Sequence, residues 1–516
     1  MRSLLPGLLL ALLASACRSA PSLPPRLEGT GAFLSGRVTG LRDAAVLDDR
    51  DFVYGLAFSP DSSKVAFSHL ALRAFQLGLW SLSPYRPLAD VRLNAQAFDV
   101  EGVAFSPDGQ AVCAASRDGV LRCFSAKDGA PLGSHGTEEP LVTVAFGPDG
   151  RTVLVGSARG LVTVLSWPGL SFVSEARVHT GEVRAVAVAP DGRVFTGGWD
   201  RSIAVLQLHE REDKGDTARL SYLRKGGLAL VAGWLRGQPL ALALDARVPA
   251  VVLTAEAART AGLEVTALSE TVSLPTALGT TLAKVARAQR LTFKGLTVEL
   301  DVALCDACVP PGAQGVLGAP FSEAFDIAFD ESTAEVVLAR KAPGQAPAPR
   351  RVMALAERAR FRFASYVNDL SVDREGNRLG VAFSEAPAER TREIYAREKR
   401  NQPEPYSEAN ASAVVDARTG AVVRSWHAHR GIVSTAAISP DGGTLATGGW
   451  DKRIHVFNVG DPEPIAHREL GWSLRRLRFS ADGRLLGAAA WTPQNPIGDQ
   501  RSTPSAVLYA PVYSTP

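Results

Sequence analysis

Residues 183–206 read VRAVAVAPDGRVFTGGWDRSIAVL. Three short apolar runs are separated here by two turn signals, which is the pattern of consecutive antiparallel strands and not of a helix. In Pro190-Asp191-Gly192 the proline presets φ, the aspartate can bond its own backbone, and the glycine tolerates positive φ. Working outward, the same unit of apolar run, turn and apolar run returns at 53–68, 100–116, 141–157, 367–384, 433–449 and 474–490, seven copies in all. The acidic turn residue falls at Asp61, Asp108, Asp149, Asp191, Glu375, Asp441 and Asp482. Successive intervals are 47, 41, 42, 184, 66 and 41 residues, so a beat near 41 is broken twice by insertions.

A beat of this length with paired strands resembles the WD-repeat β-propeller. The likeness is closest at TGGWDRSIAVL (196–206) and TGGWDKRIHVF (447–457), which resemble strand b, turn and strand c of that repeat. The resemblance implies a structural hydrogen-bond network of His179, Thr196 and Asp200, repeated as His429, Thr447 and Asp451. Leu206 and Phe457 stand where the family has its strand-c tryptophan, so each network lacks one member. The last copy has room for about three strands, with 505–510 as the third, so its fourth is expected from residues 28–47 (GAFLSGRV and DAAVL). That pairing would close the ring and remove its open edges.

The smaller interruption, 385–411, is polar and charge-rich and reads either as a solvated excursion or as a partner-binding loop. The larger one contains LALVAGWLRGQPLALALDARVPAVVLTAEAARTAGL (228–263), LTFKGLTVELDVALC (291–305), GVLGAPF (315–321) and FDIAFDESTAEVVL (325–338). This order of elements resembles a single-lobed, retropepsin-like aspartic protease, with a flap expected around 275–288. The resemblance places Asp245 at the catalytic position. Ala246 and Arg247 replace the family's threonine and glycine, and Val316-Leu317-Gly318 matches its second motif. Aspartic proteases work through two carboxylates that share a proton. One lobe supplies one carboxylate, so catalysis would need two lobes face to face.

The fold expected is therefore all-β: a seven-bladed WD-type β-propeller with an inserted single-lobed aspartic-protease-like β domain. The expected division is a signal peptide (1–16), a lipidated tether (17–27), the closing strand with blades 1–4 (28–215), the insert (216–340), a linker (341–360) and blades 5–7 (361–516). Arg2, the apolar run Leu4–Leu13 and Ala14-Ser15-Ala16-Cys17 form a secretory signal that resembles the lipobox of bacterial lipoproteins. The resemblance implies lipidation at Cys17. Arg18, in place of an inner-membrane retention aspartate, points to the outer membrane facing the periplasm.

An exported chain can hold disulfides. Cys305 and Cys308 form a local CxxC, read as a possible disulfide, whereas the pairing of Cys113 with Cys123 depends on a register that spacing leaves open. Lysine and arginine number 56 against 53 acidic residues, with no basic block, which argues against nucleic-acid binding. No phosphate loop, serine-nucleophile elbow or zincin motif occurs, and no cofactor or metal is expected. The function expected is a membrane-anchored scaffold for protein or peptide ligands in the bacterial cell envelope, its inserted lobe a degraded protease. The alternative is an aspartic endopeptidase active as a dimer through Asp245.

Overall fold

The computed structural model describes residues 36–48, 52–71, 74–93, 99–137, 139–213, 216–225, 227–236, 238–276, 279–331, 334–341, 350–384, 410–491 and 505–514. Cys17, the signal and most of the 385–411 loop lie outside them. Seven four-stranded antiparallel sheets and one ten-stranded sheet account for the strands. The seven are the blades of a propeller. In chain order they span 52–92, 100–136, 141–177, 183–213 with 350–362, 366–426, 433–469, and 473–513 with 38–48.

The recurrent turn explains why each hairpin forms where it does. In blade 2, Ser106 donates its hydroxyl hydrogen to Asp108 at 2.5 Å and accepts the backbone N–H of Ala111 at 2.9 Å. Ser59, Ser439 and Ser480 make the same pair of bonds in blades 1, 6 and 7. The turn requires one residue in the left-handed region. Gly109 takes it at φ +67°, and in blade 1 Ser62 does so at +58°. The flanking apolar side chains pack blade against blade, as Leu154, Val162, Val183, Val194 and Leu206 do between blades 3 and 4.

The ring closes between the chain's two ends. Strand Val38–Asp48 pairs antiparallel with Ala506–Tyr513 as the outermost strand of blade 7. Asn458 of blade 6 clamps its first residue, accepting from the Val38 N–H at 3.0 Å and donating to the Val38 carbonyl at 3.1 Å. Blade 7 thereby gains its fourth strand and matches the other blades.

The insert corrects the sequence reading in two respects. It lies inside blade 4, between its third and fourth strands, and not between two blades. The stretch 341–360, expected as a linker, contains most of that fourth strand, Arg350–Arg362, so the propeller resumes at Arg350. This strand pairs with Ser202–Asp213 from Ser202 opposite Arg362 to Asp213 opposite Arg350. The ladder thus continues outward past the blade and forms a two-stranded neck. Composition misleads here: the Ala- and Pro-rich stretch 341–350 reads as a linker, whereas the strand begins at Arg350.

Beyond the neck, strands Thr217–Lys225 to Glu335–Arg340 enter the ten-stranded sheet. Six of its strands close on themselves: Gly279–Phe293, Leu296–Leu304, Val251–Leu253, Gly315–Leu317, Gln238–Leu244 and Leu228–Leu235, the last pairing back to the first through Trp234 and Thr292. Two of these junctions are parallel, 242–244 with 315–317 and 251–253 with 302–304. The interior is apolar and includes Leu242, Leu253, Leu317 and the ring cluster Phe293, Phe321 and Phe325.

The insert is docked as well as tethered. Trp234, 8% exposed, donates its indole N–H to the Gly136 carbonyl of blade 2 at 2.8 Å and stacks on His135. Lys294 reaches Glu175 of blade 3 at 2.8 Å, with both side chains largely buried. Trp234→Ala removes both the packing and the hydrogen bond. It is expected to cost about 3 kcal/mol in guanidinium unfolding and to expose the neck to limited proteolysis. An unchanged midpoint and cleavage pattern would contradict the docking.

Candidate functional site

Three places combine buried polar groups with defined geometry. The first is the pair of histidine networks. His179 Nδ1 lies 2.9 Å from Asp200 Oδ1, and its Nε2 lies 2.8 Å from Thr196 Oγ1. His429 repeats this at 2.9 Å to Asp451 and 2.9 Å to Thr447. An ionised carboxylate only accepts, so Nδ1–H donates to it and the threonine hydroxyl donates to Nε2. Burial alone would push Asp200 and Asp451 up. The bonds from His179 with Ser202, and from His429, overcome it and hold both carboxyls below their ordinary range. Every atom of each triad is satisfied internally, which makes these structural staples between a blade and the loop entering it.

The second place is the centre of the ring, where the first strands of the blades carry charge that sequence reading passed over. Arg184 of blade 4 bonds Glu101 of blade 2 at 2.9 Å and Glu182 at 2.6 Å. Arg117 returns from blade 2 to Glu182 at 2.8 Å, so the two blades are tied across blade 3. On the other side Asp369 of blade 5, fully buried, accepts from Arg476 at 2.7 Å, Arg478 at 2.8 Å and the Thr435 hydroxyl at 2.6 Å, tying blades 5, 6 and 7. Burial would raise the Asp369 carboxyl, but the guanidinium groups of Arg478 and Arg476 hold it down. A cavity of about 350 Å³ opens here, lined by Glu101, Arg476 and Arg478 of this cluster together with apolar side chains such as Leu56, Phe105 and Phe146. The signal was present in the sequence: Glu101 and Arg184 interrupt otherwise apolar first strands, and Asp369 and Arg476 add charge to the first strands of blades 5 and 7.

The third place is Asp245, at the end of strand Gln238–Leu244, in a turn closed by the Val248 N–H donating to the Asp245 carbonyl at 3.1 Å. The Arg247 guanidinium donates to both carboxylate oxygens, at 2.8 and 2.9 Å, and the Arg247 backbone N–H adds a bond at 3.1 Å. That side-chain pairing holds Asp245 below the ordinary carboxylate range. Ala246 offers no hydroxyl to the neighbouring loop, and the two loops are joined instead by the Asp245 N–H donating to the Leu317 carbonyl at 3.2 Å. Gly318 is indispensable: a Cβ there would lie 2.1 Å from the Ala250 carbonyl oxygen. Asp245 and Ala246 line a cavity of about 360 Å³ together with Phe325, Phe329 and Lys341. The flap expected at 275–288 falls on the hairpin Thr271–Thr276 and Gly279–Phe293.

Cys113 and Cys123 sit directly opposite in blade 2 and are bonded, which settles the register that spacing left open. Cys305 and Cys308 are bonded within their loop.

The WD domain, G-beta repeat model matches residues 91–125, 171–205 and 420–458. The aspartyl protease model matches residues 231–321. The fold is a seven-bladed WD-type propeller with an aspartic-protease-like insert. Each WD match begins on or just before the outer strand of one blade and ends in the third strand of the next. This stagger is why the first blade's predecessor must borrow a strand from the other end of the chain. The chain is also similar to eukaryotic translation initiation factor 3 subunit I of Phaeosphaeria nodorum (strain SN15), 34% identical over 71 residues. That match covers 14% of this chain and about a fifth of the relative's length.

Asp369→Ala leaves the buried Arg476 without its counter-charge and is expected to cost about 3–5 kcal/mol. Because the folded carboxyl titrates below its unfolded value, its contribution is full above about pH 4 and is lost as pH falls further. Urea unfolding at pH 7 and pH 3 should therefore show a gap between wild type and variant that narrows in acid. A gap of the same size at both pH values would contradict the assignment.

Proposed function

We propose that this protein is a scaffold of the bacterial cell envelope, tethered to a membrane through Cys17, that binds protein or peptide ligands and does not cleave them. The observation that carries the reading is the bidentate pairing of Asp245 with Arg247. An aspartic dyad needs a proton held between two carboxylates. A guanidinium bonded to both oxygens of Asp245 favours the ionised form and competes with that proton and the attacking water for the carboxylate lone pairs. The insert, docked on blades 2 and 3, then serves as an added recognition surface. Rigid propeller faces suit protein contacts. Two disulfides suit an oxidising compartment.

Incubating the full chain with a random peptide library between acidic and neutral pH should give no cleavage above background. Cleavage that disappears in Asp245→Asn would overturn the scaffold reading in favour of a dimeric endopeptidase. The tether is tested separately. Cys17→Ser is expected to move the protein from the membrane to the soluble fraction of a bacterial host, and membrane retention of that variant would refute anchoring at this residue.

A further inference from the structure

Four of the chain's eight histidines, His427, His429, His455 and His467, belong to blade 6 or the turn entering it. Blades 4 and 6 share the same staple, so they compare residue by residue. In blade 4, Ala204 faces Arg360 across the third and fourth strands. The Arg360 guanidinium lies 3.7 Å from Asp200 and donates to the Ser202 hydroxyl at 2.9 Å, supplying the staple aspartate with a counter-charge. In blade 6 that facing pair is His455 and His467. The position of Ser202 is taken by Arg453, whose guanidinium turns outward to Glu469 at 3.8 Å. Two imidazoles thus stand where blade 4 has a methyl group and a cation.

His455 is 8% exposed, and neither of its ring nitrogens has a hydrogen-bond partner among the described residues. Leaving both unpaired in a buried site is costly. Its ring lies 4.8 Å from that of His429 and 6.4 Å from that of His467. One ligand atom each from His429, Asp451 and His455 fall within 4.8 Å of one another. His429 Nδ1 and Asp451 Oδ1 are already 2.9 Å apart, against about 3.3 Å for two ligands on a tetrahedral zinc ion with bonds near 2.0 Å.

We infer that blade 6 holds a binding site for one divalent d-block cation of the zinc class, with His455, Asp451 and His429 as ligands and the exposed His467 able to close the fourth position. Imidazole nitrogens with one carboxylate suit such an ion and not calcium or magnesium, which take oxygen ligands. On binding, His429 changes tautomer: its single ring proton moves, by exchange with solvent, from Nδ1 to Nε2, which frees Nδ1 to coordinate with no net proton released. The proton now on Nε2 donates to the Thr447 hydroxyl, which reverses the direction of that bond, so the staple's other contact survives and orients the ring. The cation gives His455 its missing partner and Asp451 the charge that Arg360 gives Asp200. Blade 4, with Ala204, has no third ligand and remains a plain staple.

The test is calorimetric titration of the full chain with Zn²⁺ alone, with Co²⁺ as a visible probe and Ca²⁺ as a control. One Zn²⁺ per chain is expected, with four-coordinate d–d absorption for Co²⁺ and no Ca²⁺ uptake. His455→Phe keeps the ring and removes both nitrogens, and His455→Ala removes the side chain. Each should weaken Zn²⁺ binding at least tenfold and abolish the zinc-induced rise in melting temperature, while His427→Ala should not. Circular dichroism identifies which variant retains the fold, and that variant decides. Absence of Zn²⁺ uptake by wild type at about 100 μM, a concentration that detects even weak sites, would overturn the inference. Wild-type affinity in a folded His455 variant would do the same.

Discussion

Closing a ring of sheets from a linear chain requires one blade to be built from both ends. Strand Val38–Asp48 supplies that piece: it pairs along Ala506–Tyr513, and Asn458 of the neighbouring blade clasps its first peptide. Without it blade 7 would lack its fourth strand, and its packing on blade 1 would lose its outer support. Every other feature presupposes this closure. The central ion pairs require opposite sectors of the ring to sit at fixed separation, and the insert requires two adjacent outer strands held as a platform.

The ion pairs at the axis join alternate blades, 2 with 4 and 5 with 7, so they constrain the ring on a longer scale than blade-to-blade apolar packing. Charge at such depth is tolerated because each carboxylate meets two guanidinium groups. The peripheral staples act on a shorter scale and fix each entering loop to its own hairpin. The two kinds of polar contact are complementary: one sets the ring, the other sets the blade.

The insert exploits a place where the propeller already has a ladder pointing outward. Extending Ser202–Asp213 and Arg350–Arg362 past the blade rim makes a neck without disturbing the core. The barrel at its end keeps a feature that its packing demands, Gly318. Threonine and glycine beside the family's aspartate are replaced by Ala246 and Arg247, and the latter turns Asp245 into half of a salt bridge.

Local chemistry determined much of this in the sequence alone. The Ser-x-Asp-Gly turns, the beat near 41 residues, the staple triads and the order of elements in the insert are all written within windows of a few dozen residues. Folding was needed for whatever depends on partners distant along the chain. That the strand after the insert completes blade 4 depends on pairing across more than a hundred residues. That Asp369 meets Arg476 and that His455 faces His467 depend on ring geometry and strand register, which hydrophobic periodicity does not encode. Even Asp245 and Arg247, two residues apart, needed the folded turn to show their side chains pointing the same way. Periodicity specifies which face of a strand is buried, but only the closed tertiary structure specifies what that face meets.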